Sequence, residues 1–264
     1  MKVLEKIKSN IQFFKNQSFL FEELVKRDFK QKYKRTALGM GWSILSPLLY
    51  LLVMKLVFTQ FFGRTMEHYT TYLFAGNLLF SFFRESTTGG MNALMGNAHI
   101  FTKINVPKYI FLLTKNVSSI INFGITLLVF FLFAALDGVT FTWKFFMLIY
   151  PIVCLLVFNI GLGLILSALY VFFRDITYLY DIFTMLLMYM SAIFYTVDGY
   201  APWIQKLFYI NPIYCAITYV RTVTINGVIP DWGLHGLLLL YAALAMLIGG
   251  IIYKKKNHKF LYYV

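Results

Sequence analysis

The chain has 264 residues, 59% of them hydrophobic and only 13% charged, with a mean hydropathy of +0.69. An average soluble domain carries roughly a quarter charged residues, so this composition excludes an ordinary soluble fold and points to a membrane protein. The net charge of +13 does not indicate nucleic acid, because ten of the 24 Lys and Arg precede residue 36 and four more lie at Lys254, Lys255, Lys256 and Lys259.

Basic ends around an apolar body match the positive-inside rule, which predicts both termini in the cytoplasm. The anionic partners are then lipid headgroups or a phosphate-bearing cargo. Residues 1–36 are too charged to read as a cleaved signal peptide and are expected to form a cytoplasmic N-terminus. Within them, residues 19–35 (FLFEELVKRDFKQKYKR) place Phe21, Val25, Phe29 and Tyr33 four apart, with Leu20 and Leu24 beside them. That spacing draws one apolar stripe on a helix whose remaining surface is charged. A basic amphipathic helix before a membrane span is expected in the cytoplasmic interface; packing on a soluble partner is the alternative.

Residues 37–253 are expected to form one six-span all-α membrane domain. The spans are about 37–62, with a kink expected at Pro47, then 70–93, 109–136, 142–173, 178–197 and 234–253. Gly89-Gly90 and Asn92 are expected to loosen the end of the second. Lys254-Lys255-Lys256 are expected to stop the last span and leave 254–264 as a basic cytoplasmic tail. Residues 200–230 do not fit this pattern: Pro202, Pro212 and Pro230 interrupt an aromatic stretch too short on either side to cross. Broken backbone at membrane depth survives only when buried in protein or lining a cavity. The segment is expected to form two re-entrant extracytoplasmic helices; an extracytoplasmic loop with interfacial aromatics is the alternative.

Catalytic signatures are missing. There is no Gly-Lys dipeptide, so no P-loop of the usual form, and no His-Glu-x-x-His or Cys-x-x-Cys. His68, His99, His235 and His258 fall in separate segments and suggest no metal. Cys154 and Cys215 lie among apolar residues and read as packing groups. Charge is concentrated instead at turns. Arg174-Asp175 separates spans four and five at a cytoplasmic turn, and Asn97–Tyr109 (NAHIFTKINVPKY) forms another, with Lys103 and Lys108. Ile176, Tyr178, Leu179, Ile182 and Phe183 keep helical spacing after the first pair, as a short docking helix would. Docking turns with no nucleotide site describe the membrane half of a pump driven by a separate chain.

Three motifs carry a resemblance to a known family. The first is DFKQKYKRTALGMGWSILSPLLYLLV, with Asp28, Leu38-Gly39, Trp42 and Pro47-Leu48. The second is FAGNLLFSFFRES followed by NAHIFTKINVPKYI, with Lys103 and Pro107. The third is GLILSALYVFFRDITYL followed by NPIYCAITYVRTVTING, with Arg174-Asp175, Asn211-Pro212 and Arg221. In order and across nearly the whole chain, these resemble the permease subunit of ABC-2-type polysaccharide exporters, the group that includes O-antigen and wall teichoic acid exporters. One departure stands out. The family often has Ser-Pro late in span five, where this chain has Ser191-Ala192, so a helix break there is not guaranteed.

The resemblance implies a homodimer in the bacterial cytoplasmic membrane, bound to two copies of a cytosolic ABC ATPase that holds ATP and Mg. This chain itself would hold no cofactor or metal and catalyse nothing. The implied cargo is a polyprenyl-pyrophosphate-linked glycan. Trp42, Tyr50, Phe80, Phe82 and Phe83 are candidates to line the channel, since aromatic faces stack on sugar rings with little demand for identity; packing aromatics are the plainer reading. Arg84 and Glu85 lie within a span and point about 100° apart, so at least one is expected to face the channel or the dimer partner. Lys55, nearer the span's outer end, is expected to snorkel. Lys30, Lys34 and Arg35 are candidates for the lipid pyrophosphate. Asn97, Ile100, Phe101, Lys103, Arg174, Asp175 and Tyr178 are candidates for ATPase docking, with Arg174 and Asp175 capping or orienting the docking helix. Trp203, Tyr209, Asn211, Pro212 and Arg221 are candidates for an outer gate. Two other functions remain open: an ABC-2 permease for small hydrophobic drugs or lipids, and a membrane-embedded transferase.

Overall fold

The structure, a computed structural model, describes residues 18–32, 34–58, 67–104, 106–257 and 259–263. Residues 1–17, Tyr33, the far end of the first expected span and His258 lie outside the described residues. Among the described residues, ten α-helices follow in order: α1 (18–32), α2 (Trp42–Phe58), α3 (Tyr69–Gly96), α4 (Ala98–Phe101), α5 (Tyr109–Leu136), α6 (Ile149–Phe172), α7 (Ile176–Met190), α8 (Pro202–Phe208), α9 (Pro212–Thr224) and α10 (Trp232–Lys256). No strand occurs among the described residues. Among the described residues, three apolar segments are long enough to cross a membrane: Tyr109–Leu136, Trp143–Phe172 and Trp232–Lys256. Trp42–Phe58 and Ile176–Met190 are shorter apolar helices.

Helix α3 runs between α5 and α6, and α10 lies along α6. Glycine sets how closely these helices approach. A Cβ on Gly249 would lie 2.3 Å from the Gly161 carbonyl oxygen, and one on Gly161 would lie 2.4 Å from Ala245 backbone, so α6 and α10 touch backbone to backbone. Gly90 plays the same part against Gly163 of α6, at 3.1 Å. The expectation that Gly89-Gly90 loosens the second span is therefore corrected. α3 continues to Gly96, because a neighbour fills the space a side chain would occupy. α10 likewise continues through Lys254–Lys256 rather than stopping before them. Aliphatic lysine stems can follow apolar surface while their charges reach solvent.

At one end, called here the basic end, α1 folds onto the bundle. Leu24 is buried with Ala93, Leu94, Phe101, Ile110 and Phe111, and Leu20 and Phe21 flank it. Asp28, one helical turn further on, is buried as well, with Arg27 at 2.8 Å and Lys115 of α5 at 3.1 Å. Arg27 also donates to Asn97 Oδ1 at 2.7 Å, tying α1 to the α3–α4 junction. Lys108 donates to the Asn257 carbonyl at 2.7 Å and joins the C-terminal turn to the same end. Burial lowers the pKa of its ammonium.

At the far end, Asp137 after α5 accepts from the Thr71 amide and hydroxyl and so satisfies the start of α3. The fifth expected span ends early. α7 stops at Met190, and Ala192 takes a positive φ of 47°. The helix breaks without the family's proline. The 200–230 segment forms two short helices, α8 and α9, each with proline at its start, where the missing N–H costs nothing. No separate docking helix precedes α7; Ile176, Tyr178, Leu179, Ile182 and Phe183 belong to its first turns.

Candidate functional site

A groove of about 750 Å3 runs along α2, α3 and α5. Its walls follow from helical spacing. Trp42, Ser46 and Tyr50 are four apart on α2; Asn77, Ser81, Arg84 and Thr88 follow at intervals of four, three and four on α3; Ser119, Asn122 and Thr126 do the same on α5. Such spacing places each set on one face. Phe80, Phe82, Phe123 and Met188 add apolar surface, while Lys32 and Thr36 stand toward the basic end. The lining thus alternates flat aromatic faces with hydroxyls and amides.

Three charged residues line the groove. Glu85 accepts from Lys32 Nζ at 2.8 Å and from Asn122 Nδ2 at 2.9 Å, so α1, α3 and α5 meet at one carboxylate. Arg84 is exposed in the groove, and no carboxylate among the described residues lies within ion-pair distance of its guanidinium. Behind it, the Tyr180 hydroxyl of α7 donates to the Thr87 hydroxyl.

Trp42, Tyr50, Phe80, Phe82 and Arg84 thus stand together at the groove. Phe83 does not: it is 1% exposed and packs beside Phe158 in the core. Phe80 and Phe82 are nearly as buried, at 4% and 3%, but they border the groove as well. Lys30, Lys34 and Arg35 are exposed around the α1–α2 elbow, where Arg35 adopts a left-handed φ of 63°. At the docking turns, Lys103, Arg174, Asp175 and Tyr178 are exposed and Ile100 is half-buried, but Asn97 and Phe101 are buried. Asn97 donates to the Ala93 carbonyl and receives Arg27, and Phe101 packs on Phe111, so both brace the turn from inside. Asp175 occupies the N-cap position of α7, yet its side chain accepts no capping hydrogen bond.

The far-end candidates divide in the same way. Trp203 is exposed and Tyr209 half-buried, its carbonyl accepting from the Tyr241 hydroxyl at 2.9 Å. Pro212 begins α9 behind Asn211, which caps the helix by accepting from the Ile213 amide at 2.9 Å and donates to Ser191 Oγ at 2.9 Å. Arg221 is buried and donates to the Ala192 and Ile193 carbonyls at 2.9 Å and to the Tyr72 carbonyl at 3.1 Å. Its guanidinium carbon lies 3.3 Å from the Tyr72 ring centroid. These contacts absorb the carbonyls freed by the break after α7. Asn211 and Arg221 are therefore framework at the far end, and Arg221 floors a smaller pocket of about 230 Å3 lined by Glu67 and Asp198.

Sequence reasoning missed Lys32, Asn77, Ser81, Thr88, Ser119, Asn122 and Thr126. The signal existed: polar residues recurring at helical spacing inside two otherwise apolar helices. Among the described residues no cluster of three or more His, Cys, Asp or Glu could hold a metal ion.

A family model described as ABC-2 type transporter matches residues 20–225. An O-antigen export system permease protein of Klebsiella pneumoniae is 26% identical over 252 residues, covering 93% of this chain and 96% of the relative. One of the same description from Myxococcus xanthus is 26% identical over 216 residues, covering 80% and 82%. The matched span contains the groove, both basic-end turns and the Arg221 clamp, and the chain belongs to the ABC-2 type transporter family.

Proposed function

We propose that this chain is the membrane subunit of an ATP-driven exporter that moves a polyprenyl-pyrophosphate-linked polysaccharide across the bacterial cytoplasmic membrane. The groove carries this reading. Exposed aromatic faces of Trp42 and Tyr50, bordered by Phe80 and Phe82 and set beside Ser, Thr and Asn side chains, suit a glycan, whose rings stack and whose hydroxyls exchange hydrogen bonds as they slide. The relatives' description as O-antigen export permeases supports the same cargo class.

In this reading α2, α3, α5, α6, α7 and α10 cross the membrane, with both termini cytoplasmic, and α8 and α9 re-enter from outside. Two copies place their grooves together to form the conduit. Lys30, Lys34 and Arg35 receive the lipid pyrophosphate at the elbow between the interface helix and the first span. Exposed Lys103, Arg174, Asp175 and Tyr178 meet two copies of a cytosolic ABC ATPase, which binds ATP and Mg. Trp203 and Tyr209 flank the exit.

The test is purification of the tagged full chain from its native membrane in mild detergent, with mass spectrometry of the complex. A stoichiometric P-loop ATPase is expected. An intact dimer without one would overturn the pump. Arg35→Glu is expected to abolish export while the complex still assembles; normal export would remove the pyrophosphate role.

A further inference from the structure

We infer that the groove takes a cargo bearing anionic groups, phosphate or carboxylate, and that Arg84 is the residue that reads them. This rests on the groove being the glycan path. Of the three charges lining it, Lys32 and Glu85 satisfy each other at 2.8 Å, with Asn122 completing the carboxylate's shell. Arg84 is left without a carboxylate partner among the described residues. It sits about 22 Å along a helix about 42 Å long, far from either end. With α3 crossing the membrane as proposed, it is too deep for its guanidinium to be explained by topology signals at a membrane surface. An unpaired guanidinium at that depth is costly unless water or a ligand meets it, and Arg84 opens into the groove rather than into packed side chains.

The remaining polar lining is neutral: serines, threonines and asparagines that bind sugar hydroxyls without regard to charge. Glu85 cannot serve as the counter-ion without abandoning both of its partners, and it points about 100° away around the helix. Guanidinium offers a planar fork of donors suited to phosphate and carboxylate oxygens. The groove therefore combines a charge-blind stacking surface with a single positive reader.

The experiment uses the full chain in lipid nanodiscs, with quenching of Trp42 fluorescence as the signal. The probes are poly(glycerol phosphate) oligomers, neutral dextran oligomers of equal length, and farnesyl pyrophosphate. The anionic oligomer is expected to bind roughly tenfold more tightly than dextran, as one charge-assisted contact allows, and to weaken with salt. Arg84→Gln should erase that preference, Arg84→Lys should keep part of it, and dextran affinity should stay unchanged in both. A preference confined to the oligomer places the anion in the repeating unit; one that extends to farnesyl pyrophosphate places it at the lipid carrier. Equal affinity for both oligomers would overturn the inference and leave the groove as the glycan path. Absence of quenching by either would remove that path as well. Loss of the dimer in Arg84→Gln would overturn the inference by assigning the guanidinium to contact between copies.

Discussion

Arg221 and Arg84 carry the same group into opposite surroundings. Arg221 is fully enclosed, donates to the carbonyls of Tyr72, Ala192 and Ile193, and lies against the Tyr72 ring. Arg84 opens into a groove of about 750 Å3 and meets no carboxylate among the described residues. The first gives four of its five N–H donors to this chain's own backbone; the second leaves its donors facing the groove. Saturation, rather than burial alone, separates a framework arginine from a binding one.

The largest effect should follow from Arg221→Met. It takes donors from three carbonyls near an interrupted helix, and each buried group left unsatisfied costs about 1–3 kcal/mol. The variant is expected to unfold far below wild type or to fail to accumulate. Cys154 and Cys215 are both buried, so their reaction with a thiol-reactive dye on heating reports the loss. Wild-type melting would mean the break after Met190 holds itself.

Asp28→Ala should come next, at about 2 kcal/mol. Removing one member of a buried pair costs about 3–5 kcal/mol, but Arg27 and Lys115 are 37% and 30% exposed and regain solvent. Faster proteolysis within α1, with the rest of the chain intact, checks the expected detachment. Gly76→Ala sharpens the comparison from the other side. Its Cβ would lie 2.8 Å from Arg221 Nη2 and 3.1 Å from Ile193 Cγ2, so overpacking should cost about 1–3 kcal/mol. The dye assay should show a lower melting temperature without loss of expression.

The smallest stability effects belong to the groove. Arg84→Gln should move stability by no more than about 0.5 kcal/mol, and Glu85→Gln by no more than about 1 kcal/mol, because the Lys32 pair is partly exposed. Ser81→Trp should also leave melting nearly unchanged, since Ser81 is exposed in the groove, yet it should block export by filling the path. Export assays in cells check this; unimpeded export would remove the groove as conduit.

Much of this was legible before any coordinates. The span 109–136 is α5 residue for residue, and Pro202 and Pro212 marked the starts of α8 and α9. Apolar runs and proline act locally, so local sequence reports them. The fifth span was read too long, because the carbonyls after Met190 find their donors on Arg221, far along the sequence. Asn97 and Phe101 looked like docking residues because they sit in a polar turn; α1 and α5 bury them from outside that turn. Phe80, Phe82 and Phe83 looked equivalent; packing buries all three and leaves only Phe80 and Phe82 bordering the groove.

The sequence by itself determined a helical membrane chain, its basic ends, its apolar runs and its punctuation, because hydropathy, charge and proline act over a few residues. Only the tertiary structure decided which charges are matched. Glu85 found Lys32 and Asn122 across three helices, Arg221 found carbonyls of α3 and of the segment after α7, and Arg84 found no carboxylate among the described residues. Pairing of charge depends on distance in space, and one chain's order does not contain it.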